Sequence, residues 1–498
     1  MENSKPGIIN GKLTAEIISL FLVVVIYALI IIKSLNSSYF WDNVQFTSKE
    51  AHWYYNSNFS SLLLPGFSEG SEIFGTGCHP PLIGIMTASL WNIFGKHLWV
   101  SHLLIALWAA VLIFSTWRLL RSLVPEVIAG FLLPVLLLDS TILSQLFIAS
   151  PDIVLLASFV TTLLAVTERR MWLLTFALIF LVLINGRGAV TGIILFIFYV
   201  FHQIASDKKN LTPGLFFKSL IPFLPAYFLV SIYYLAYIVN FGWFFINPDS
   251  PWAVSGARPE GLSQVFKNLG AFCIRLAENG RFFIYMVSII LLIRLCRRNR
   301  LRSVFRGLNL SLGLIYLLFF FFFLYFAVTT TAVITSRYYM GMFFVINILL
   351  YRMMPELLSI KSIRIISVIA LVFLITGNLW TYPDKISKAW DATLAHLPYY
   401  ELREECLGYM AKNNYDLAQV SGGFCFKGNQ RYFDLKDRDL YISERADNKY
   451  FIYSNISNID DTFINELYNK GKWTEIRTFR KGFVTVSIYE NRFYNETF

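Results

Sequence analysis

Charge is scarce in this chain. Asp, Glu, Lys and Arg make up only 15% of its 498 residues, against about 25% in an ordinary soluble domain. Cysteine is scarcer still. Cys78, Cys273, Cys296, Cys406 and Cys425 form no Cys-x-x-Cys pair and no Cys/His zinc spacing, which excludes a disulfide-dense scaffold and a zinc module. A Gly-rich nucleotide loop, a Walker sequence and a Ser/His/Asp arrangement are missing as well. An activated substrate is therefore expected to arrive in the membrane, not as a soluble nucleotide sugar. Nothing in the pattern demands a cofactor, and a divalent metal, although compatible, is not indicated. Internal repeats and low-complexity stretches are also absent.

What the chain has is apolar length. Hydrophobic residues reach 56%, and long apolar runs recur from Ile18 to Trp380. This marks a polytopic α-helical membrane protein. The first run, Ile18 to Ile32, lacks a small-residue cleavage site and is followed by Lys33 and Tyr39-Phe40-Trp41, an interfacial anchor rather than a cleaved signal. The formal charge of +11 raises the question of nucleic acid, but its distribution answers it. Residues 381–498 carry 16 basic and 17 acidic side chains, while the apolar part carries 27 against 15. The excess sits in short loops, as the positive-inside rule requires, so no nucleic-acid partner is expected.

The loop charges set a topology. Basic clusters at Lys5/Lys12, Arg118/Arg121, Arg169/Arg170, Lys208/Lys209/Lys218, Arg294 to Arg306, and Arg352/Lys361/Arg364 are assigned to the cytoplasm. Pro81 to Phe94 then cannot be a full crossing, because Arg118 and Arg121 would fall outside; it reads as an interfacial helix. The spans are expected near 18–32, 102–119, 124–138, 151–167, 172–184, 189–204, 219–239, 282–295, 308–328, 338–351 and 365–380, eleven in all. Asp139 to Ser150 is expected at the outer rim. Residues 1–380 form the transmembrane unit, with outer loops 36–101 (carrying interfacial helices) and 240–280. Residues 381–498 form a small extracytoplasmic α/β domain, with a helix over Leu402 to Asn413 and strands over Tyr450 to Ser454 and Phe483 to Tyr489. His396, Tyr399 and Tyr400 fall in its leading segment, near the membrane surface. For Cys406 and Cys425 a disulfide and a pair of thiols in a small core are equally open. The absence of a terminal retention signal favours a bacterial inner membrane, N-terminus in and C-terminus out.

Polar residues at the expected outer rim are the candidates for chemistry. Asp42, just past the first span, is placed to take a proton from an acceptor while a sugar leaves a phosphate; an ordinary helix-end acid is the plain alternative. His79 precedes Pro80-Pro81-Leu82, and two prolines fix the backbone and aim the side chain before them. Asp139 and Asp152 border two spans, and acids near lipid are costly and often functional. Asp152 follows Ser150-Pro151, so a helix cap is the competing reading. Arg187, Arg258 and Arg337, the last before Tyr338-Tyr339, are the candidate phosphate binders, against simple headgroup contact. Glu69 and Glu72 read as second acids, metal ligands or, most plainly, solvated loop residues.

Taken in order, these motifs resemble the C-type (GT-C) glycosyltransferases. They are most similar to the group holding protein O-mannosyltransferases and lipid A aminoarabinose transferases. That group has Asp-Glu after span one, Lys-Pro-Pro-Leu before an interfacial helix ending in Phe-Gly, an acid opening span four, a Lys-Gly-Pro turn, and Arg-Tyr before a late span. Here stand Asp42-Asn43, His79-Pro80-Pro81-Leu82 and Phe94-Gly95, Asp152, loosely Asn185-Gly186-Arg187-Gly188, and Arg337-Tyr338, across roughly residues 15–355. The resemblance implies inverting transfer of a sugar from a polyprenyl-phosphate donor to a protein, lipid or glycan acceptor on the extracytoplasmic face. Asp42 would be the base, assisted by Asp152. His79, Arg187, Arg337 with Tyr338, and Arg258 would hold the donor phosphate. Asn43 and His79 depart from the pattern, which puts a two-carboxylate arrangement in doubt and makes phosphate binding at His79 pH-dependent. A lipid or glycan flippase and a non-catalytic relative with a partner-binding tail are the alternatives. Polar residues crowd the rim while stretches such as Leu314 to Phe326 are apolar, which favours an enzyme working at one surface.

Overall fold

The computed structural model describes residues 7–40, 42–68, 71–207, 210–250, 253, 258–330, 335–382, 390–436, 440–444, 447–457, 459–469 and 471–494. Trp41, Glu69, Lys5 and Lys208/Lys209 lie outside them. The chain begins with α1 (Gly7–Ser34) and enters a polar segment. There a π-helical stretch, Val44–Lys49, runs straight into α2 (Glu50–Asn56). Next comes α3 (Leu82–Phe94), which stops at Gly95 with φ 86°, a left-handed value that a Cβ would disfavour. Tightly spaced helices follow: α4 (Leu98–Leu123), α5 (Glu126–Leu137), α6 (Ser140–Phe147), α7 (Pro151–Thr167), α8 (Met171–Ile184) and α9 (Gly186–Asp207). Then come α10 (Pro213–Leu220), α11 (Leu224–Phe241), α12 (Gly261–Ala277), α13 (Phe282–Arg297), α14 (Leu301–Val304), α15 (Leu308–Thr329), α16 (Met340–Met353) and α17 (Ile360–Thr376).

The protein is an integral membrane protein. Among the described residues six helices are long and apolar enough to cross a bilayer, or up to eight if two bent pairs each count as one span. Such a crossing takes about 20 residues at about 1.5 Å each. The bent pairs are α5 with α6 (55°) and α12 with α13 (90°), and α7 and α8 are shorter apolar helices. The expected eleven crossings counted such short and bent helices as spans.

One local expectation is corrected. Residues 240–280 are not simply a loop, since they contain α12. Its apolar residues recur at helical spacing instead of as a run, with Leu262, Phe266 and Ile274 exposed and Phe272 and Arg275 buried. Residues 139–150 are buried throughout. Every residue of α6 is buried, and Asp139 caps it by accepting from the Thr141 and Ile142 amides. The same carboxylate holds Arg281 through two bonds of 2.8 and 2.9 Å, so Asp139 is a buried structural anion away from lipid.

After α17 the chain reaches a buried turn at Trp390–Ala392, then α18 (Pro398–Lys412). The strands β1 (Val420–Gly422), β2 (Gly428–Asn429), β3 (Tyr441–Ile442), β4 (Tyr450–Ser454), β5 (Trp473–Lys481) and β6 (Val484–Asn491) follow. Four of them form a sheet in the order β1-β4-β6-β5, with β1 parallel to β4 and the other neighbours antiparallel. Its core contains Cys406 and Cys425 as buried thiols with no disulfide between them. That core is continuous with the helical part, because Phe40, Phe147 and Ile148 belong to it. His396 is buried and stacks on Phe40 at 4.8 Å, so the leading segment packs against the stretch that follows α1. A second seam joins the tail to the polar segment: the Tyr39 amide donates to the Phe433 carbonyl at 2.7 Å and Ser48 Oγ to Tyr432 at 2.6 Å.

Candidate active site

Four helix ends and one turn of the tail meet beside the polar segment. Asp42 follows α1 by a few residues. Its neighbour Asn43, 2% exposed, donates its side-chain amide to the Ile148 carbonyl at 2.8 Å. That bond ties the segment to the end of α6 and fixes where Asp42 points. Asp152 sits in the first turn of α7. The cap there is Ser150, whose hydroxyl accepts from the Asp152 amide at 3.1 Å, so the Asp152 carboxylate is released from capping and faces the cluster.

Arg187 lies in the first turn of α9. The turn before it is tight: a Cβ on Gly186 would come within 2.6 Å of the Cys78 carbonyl, and one on Gly188 would collide with the Leu181 carbonyl. Glycine is needed at both places because backbone, not a yielding side chain, fills the space. Arg337 is in the 3-10 turn Ser336–Tyr339 that opens α16. Tyr338 lies between the two arginines, with its ring centre 4.1 Å from the Arg187 guanidinium and 5.5 Å from that of Arg337.

The charges interlock. Arg187 pairs with Asp152, and Arg337 pairs with Asp42. Arg337 Nε also faces Asp391 Oδ2 at 3.2 Å and Asp152 Oδ2 at 3.7 Å. Three carboxylates therefore surround two guanidiniums. His79 joins from the segment before α3: its Nδ1 accepts the Gly186 amide at 3.4 Å, its ring meets the edge of Phe46 at 4.8 Å, and Tyr233 donates to its carbonyl at 3.2 Å.

A cavity of about 160 Å³ opens here, walled by Asp42, His79, Asp152, Arg187, Arg337 and Tyr338 among others. A second cavity adjoins it and shares Asp152, Arg187, Arg337 and Tyr338. The rest of that second wall is mainly apolar, with Leu156, Phe159, Ile194, Phe319, Phe322 and Phe323. A polar pocket thus passes into a greasy groove between α7, α9, α15 and α16.

Other expected residues lie apart. Arg258 is exposed and lines neither cavity. Glu72 pairs with Arg431 of the tail at 3.2 Å, which makes it a contact of the seam. Among the described residues no group of three or more His, Cys, Asp and Glu side chains is placed to hold a metal ion.

Two site residues were missed by sequence reasoning. Glu50 lines the polar cavity, is buried, and burial pushes its carboxyl well above the usual range, with Cys78 adding. Asp391 comes from the tail and is fully buried. Burial raises its pKa to about 6 against the opposing pull of Arg337, with Asp42 and Asp152 adding. Neither had a legible signal, since each is one acid among many in a polar stretch.

No protein-family model matches the chain, and no curated protein is significantly similar to it. Solved structures are. The crystal structure of ArnT from Cupriavidus metallidurans bound to undecaprenyl phosphate aligns over 94% of this chain and 97% of its own, with TM-score 0.54 and 12% identity. The apo state of the same protein aligns over the same shares, with TM-score 0.51 and 13% identity.

This chain has the GT-C fold.

At such identities the likeness is one of architecture.

Proposed function

We propose that this protein is an inverting membrane glycosyltransferase that moves a sugar from a polyprenyl-phosphate donor to an acceptor on the extracytoplasmic face. The observation that carries the reading is the junction of the two cavities. A polar pocket with two arginines suits a phosphate, and the apolar groove that shares Asp152, Arg187, Arg337 and Tyr338 suits the chain of a lipid esterified to it. ArnT, which has the same fold, was crystallised with such a lipid phosphate.

The chemistry follows from charge placement. A donor phosphate competes with Asp42 for Arg337 and with Asp152 for Arg187. The displaced Asp42 carboxylate, 21% exposed beside the cavity, takes the proton of an acceptor hydroxyl. The acceptor oxygen forms its bond to the anomeric carbon as the bond from that carbon to the phosphate oxygen breaks on the opposite face. The electron pair leaves with polyprenyl phosphate, whose charge Arg187 and Arg337 stabilise. His79 and Glu50 line the same polar cavity. We place the boundary between the membrane unit and the α/β unit near residue 380, with the α/β unit outside the cytoplasm of a bacterial inner membrane.

The test is turnover of polyprenyl-phosphate sugars by purified protein in nanodiscs, wild type beside Asp42→Asn. Wild type should release polyprenyl phosphate. The variant should bind donor but turn over slower by on the order of 10² to 10⁴, the usual worth of a general base. Failure of wild type to bind any lipid-linked sugar would overturn the reading.

A further inference from the structure

Arg337 is held by more acids than a phosphate site needs. Asp42, Asp152 and Asp391 all face its guanidinium, and they differ in how far they can move. The Asp42 side chain is 21% exposed and borders the cavity, while those of Asp152 and Asp391 are 1% and 0% exposed. Asp152 is already committed to Arg187. Asp391 is pinned through its backbone, because Ser144 Oγ donates to its carbonyl at 2.7 Å and Gln145 Nε2 at 2.6 Å. Both anchors come from α6, a helix buried along its whole length. The Asp391 carboxylate does not line the cavity, and neither of its oxygens makes a hydrogen bond among the described residues, so its hold on Arg337 is one of charge, at 3.2 Å.

We propose that Asp391 is a positioning residue: the fixed counter-ion that keeps Arg337 aimed into the cavity when an incoming phosphate displaces Asp42. The inference rests on the transferase reading above. A phosphate arriving at Arg337 exchanges one anion for another on the terminal nitrogen that Asp42 holds in the resting site. Asp42 can swing away because it borders open space. Asp391 cannot, and it faces the Nε edge, the side the phosphate does not reach. Arg337 thus keeps one partner throughout, and Asp42 is free to serve as base. The tail supplies this carboxylate, so the α/β unit completes the site instead of merely covering it. The groups that face Asp391 are Arg337, Asp42 and Asp152 in the cluster, with Arg275 of α12 and Tyr382 farther off.

Asp391→Asn separates binding from turnover. It removes a negative charge near the phosphate, so undecaprenyl phosphate should bind at least as tightly as to wild type. It also leaves Arg337 without its fixed partner, so the guanidinium no longer stays aimed at the leaving phosphate once Asp42 has moved away. The turnover number should fall on the order of tenfold to a hundredfold, the usual effect of an outer partner of a site residue. Wild-type turnover should rise as pH passes through about 6, where Asp391 becomes charged, and Asp391→Asn should lose that rise. Asp391→Glu should recover part of the turnover. If Asp391→Asn does not fold, Ser144→Ala tests the same point: it loosens the Asp391 carbonyl without touching charge, and should lower turnover with phosphate affinity unchanged.

Loss of phosphate binding in Asp391→Asn to the extent seen in Arg337→Gln would overturn the proposal, since Asp391 would then merely build the pocket. Wild-type turnover in both Asp391→Asn and Ser144→Ala would overturn it as well. Failure of the transferase reading is a different result, visible as the absence of lipid-phosphate binding in wild type itself.

Discussion

At the scale of single residues, the site is arranged by side chains that do no chemistry. Asn43 stands where an acid was the expected partner of Asp42, and its role is legible only in three dimensions. A carboxylate cannot donate, so at this buried position it would face the Ile148 carbonyl lone pair against lone pair. Asn43→Asp is therefore expected to destabilise the fold by at least about 1–3 kcal/mol, the cost of stranding buried polar groups. Thermal unfolding in detergent measures it, and an unchanged midpoint would mean that the Asn43 bond does not hold the segment. Ser150 teaches the same lesson. By capping α7 it frees Asp152, which a reading of Ser150-Pro151-Asp152 alone left divided between cap and functional acid.

At the scale of elements, close backbone approach decides where helices end. Gly280, with φ 83°, lies where a Cβ would strike the Phe373 carbonyl, and a Cβ on Gly377 would strike the Asn279 carbonyl. The bend between α12 and α13 and the end of α17 thus meet backbone against backbone, beside the rings of Phe282, Phe283 and Phe373. Arg281 is in the same bend and carries the bidentate pair to Asp139. Gly377→Ala should cost about 1–3 kcal/mol or more, the range for overpacking a filled site, because a carbonyl cannot yield as a side chain can. A wild-type unfolding midpoint for that variant would show that the junction has slack. The apolar runs predicted most of these helices, but not the bends. Periodicity reports which face is apolar, whereas a bend depends on a partner far away in the chain.

At the scale of the whole molecule, the core of the tail takes in Phe40, Phe147 and Ile148 of the helical part, and the two parts share one ion cluster. Asp391 links them, and its pKa of about 6 lies above the carboxylate value of 3.8. Folding therefore favours its protonated form. The stability this contributes is fully present below pH about 4 and is lost as pH rises through about 6. Asparagine imitates the protonated side chain. The unfolding midpoint of wild type should accordingly fall relative to that of Asp391→Asn between pH 4 and 7, within a window set by those two values. A difference that does not vary with pH would show that Asp391 titrates as it does in the unfolded chain.

The sequence by itself determined the membrane class, the helical scaffold and the small sheet of the tail, and it singled out Asp42, His79, Asp152, Arg187 and Arg337 as candidates. These follow from local properties: apolar run length, the position of charge beside it, and prolines and glycines that constrain the backbone near it. Only the tertiary structure decided that these residues share a pocket, that Arg258 and Glu72 lie outside it, that Asp139 belongs to Arg281, and that Asp391 reaches in from the tail. The physical reason is that an ion pair buried from water depends on which side chains meet across packed helices, and pairs such as Asp42 with Arg337, 295 residues apart, leave no local mark.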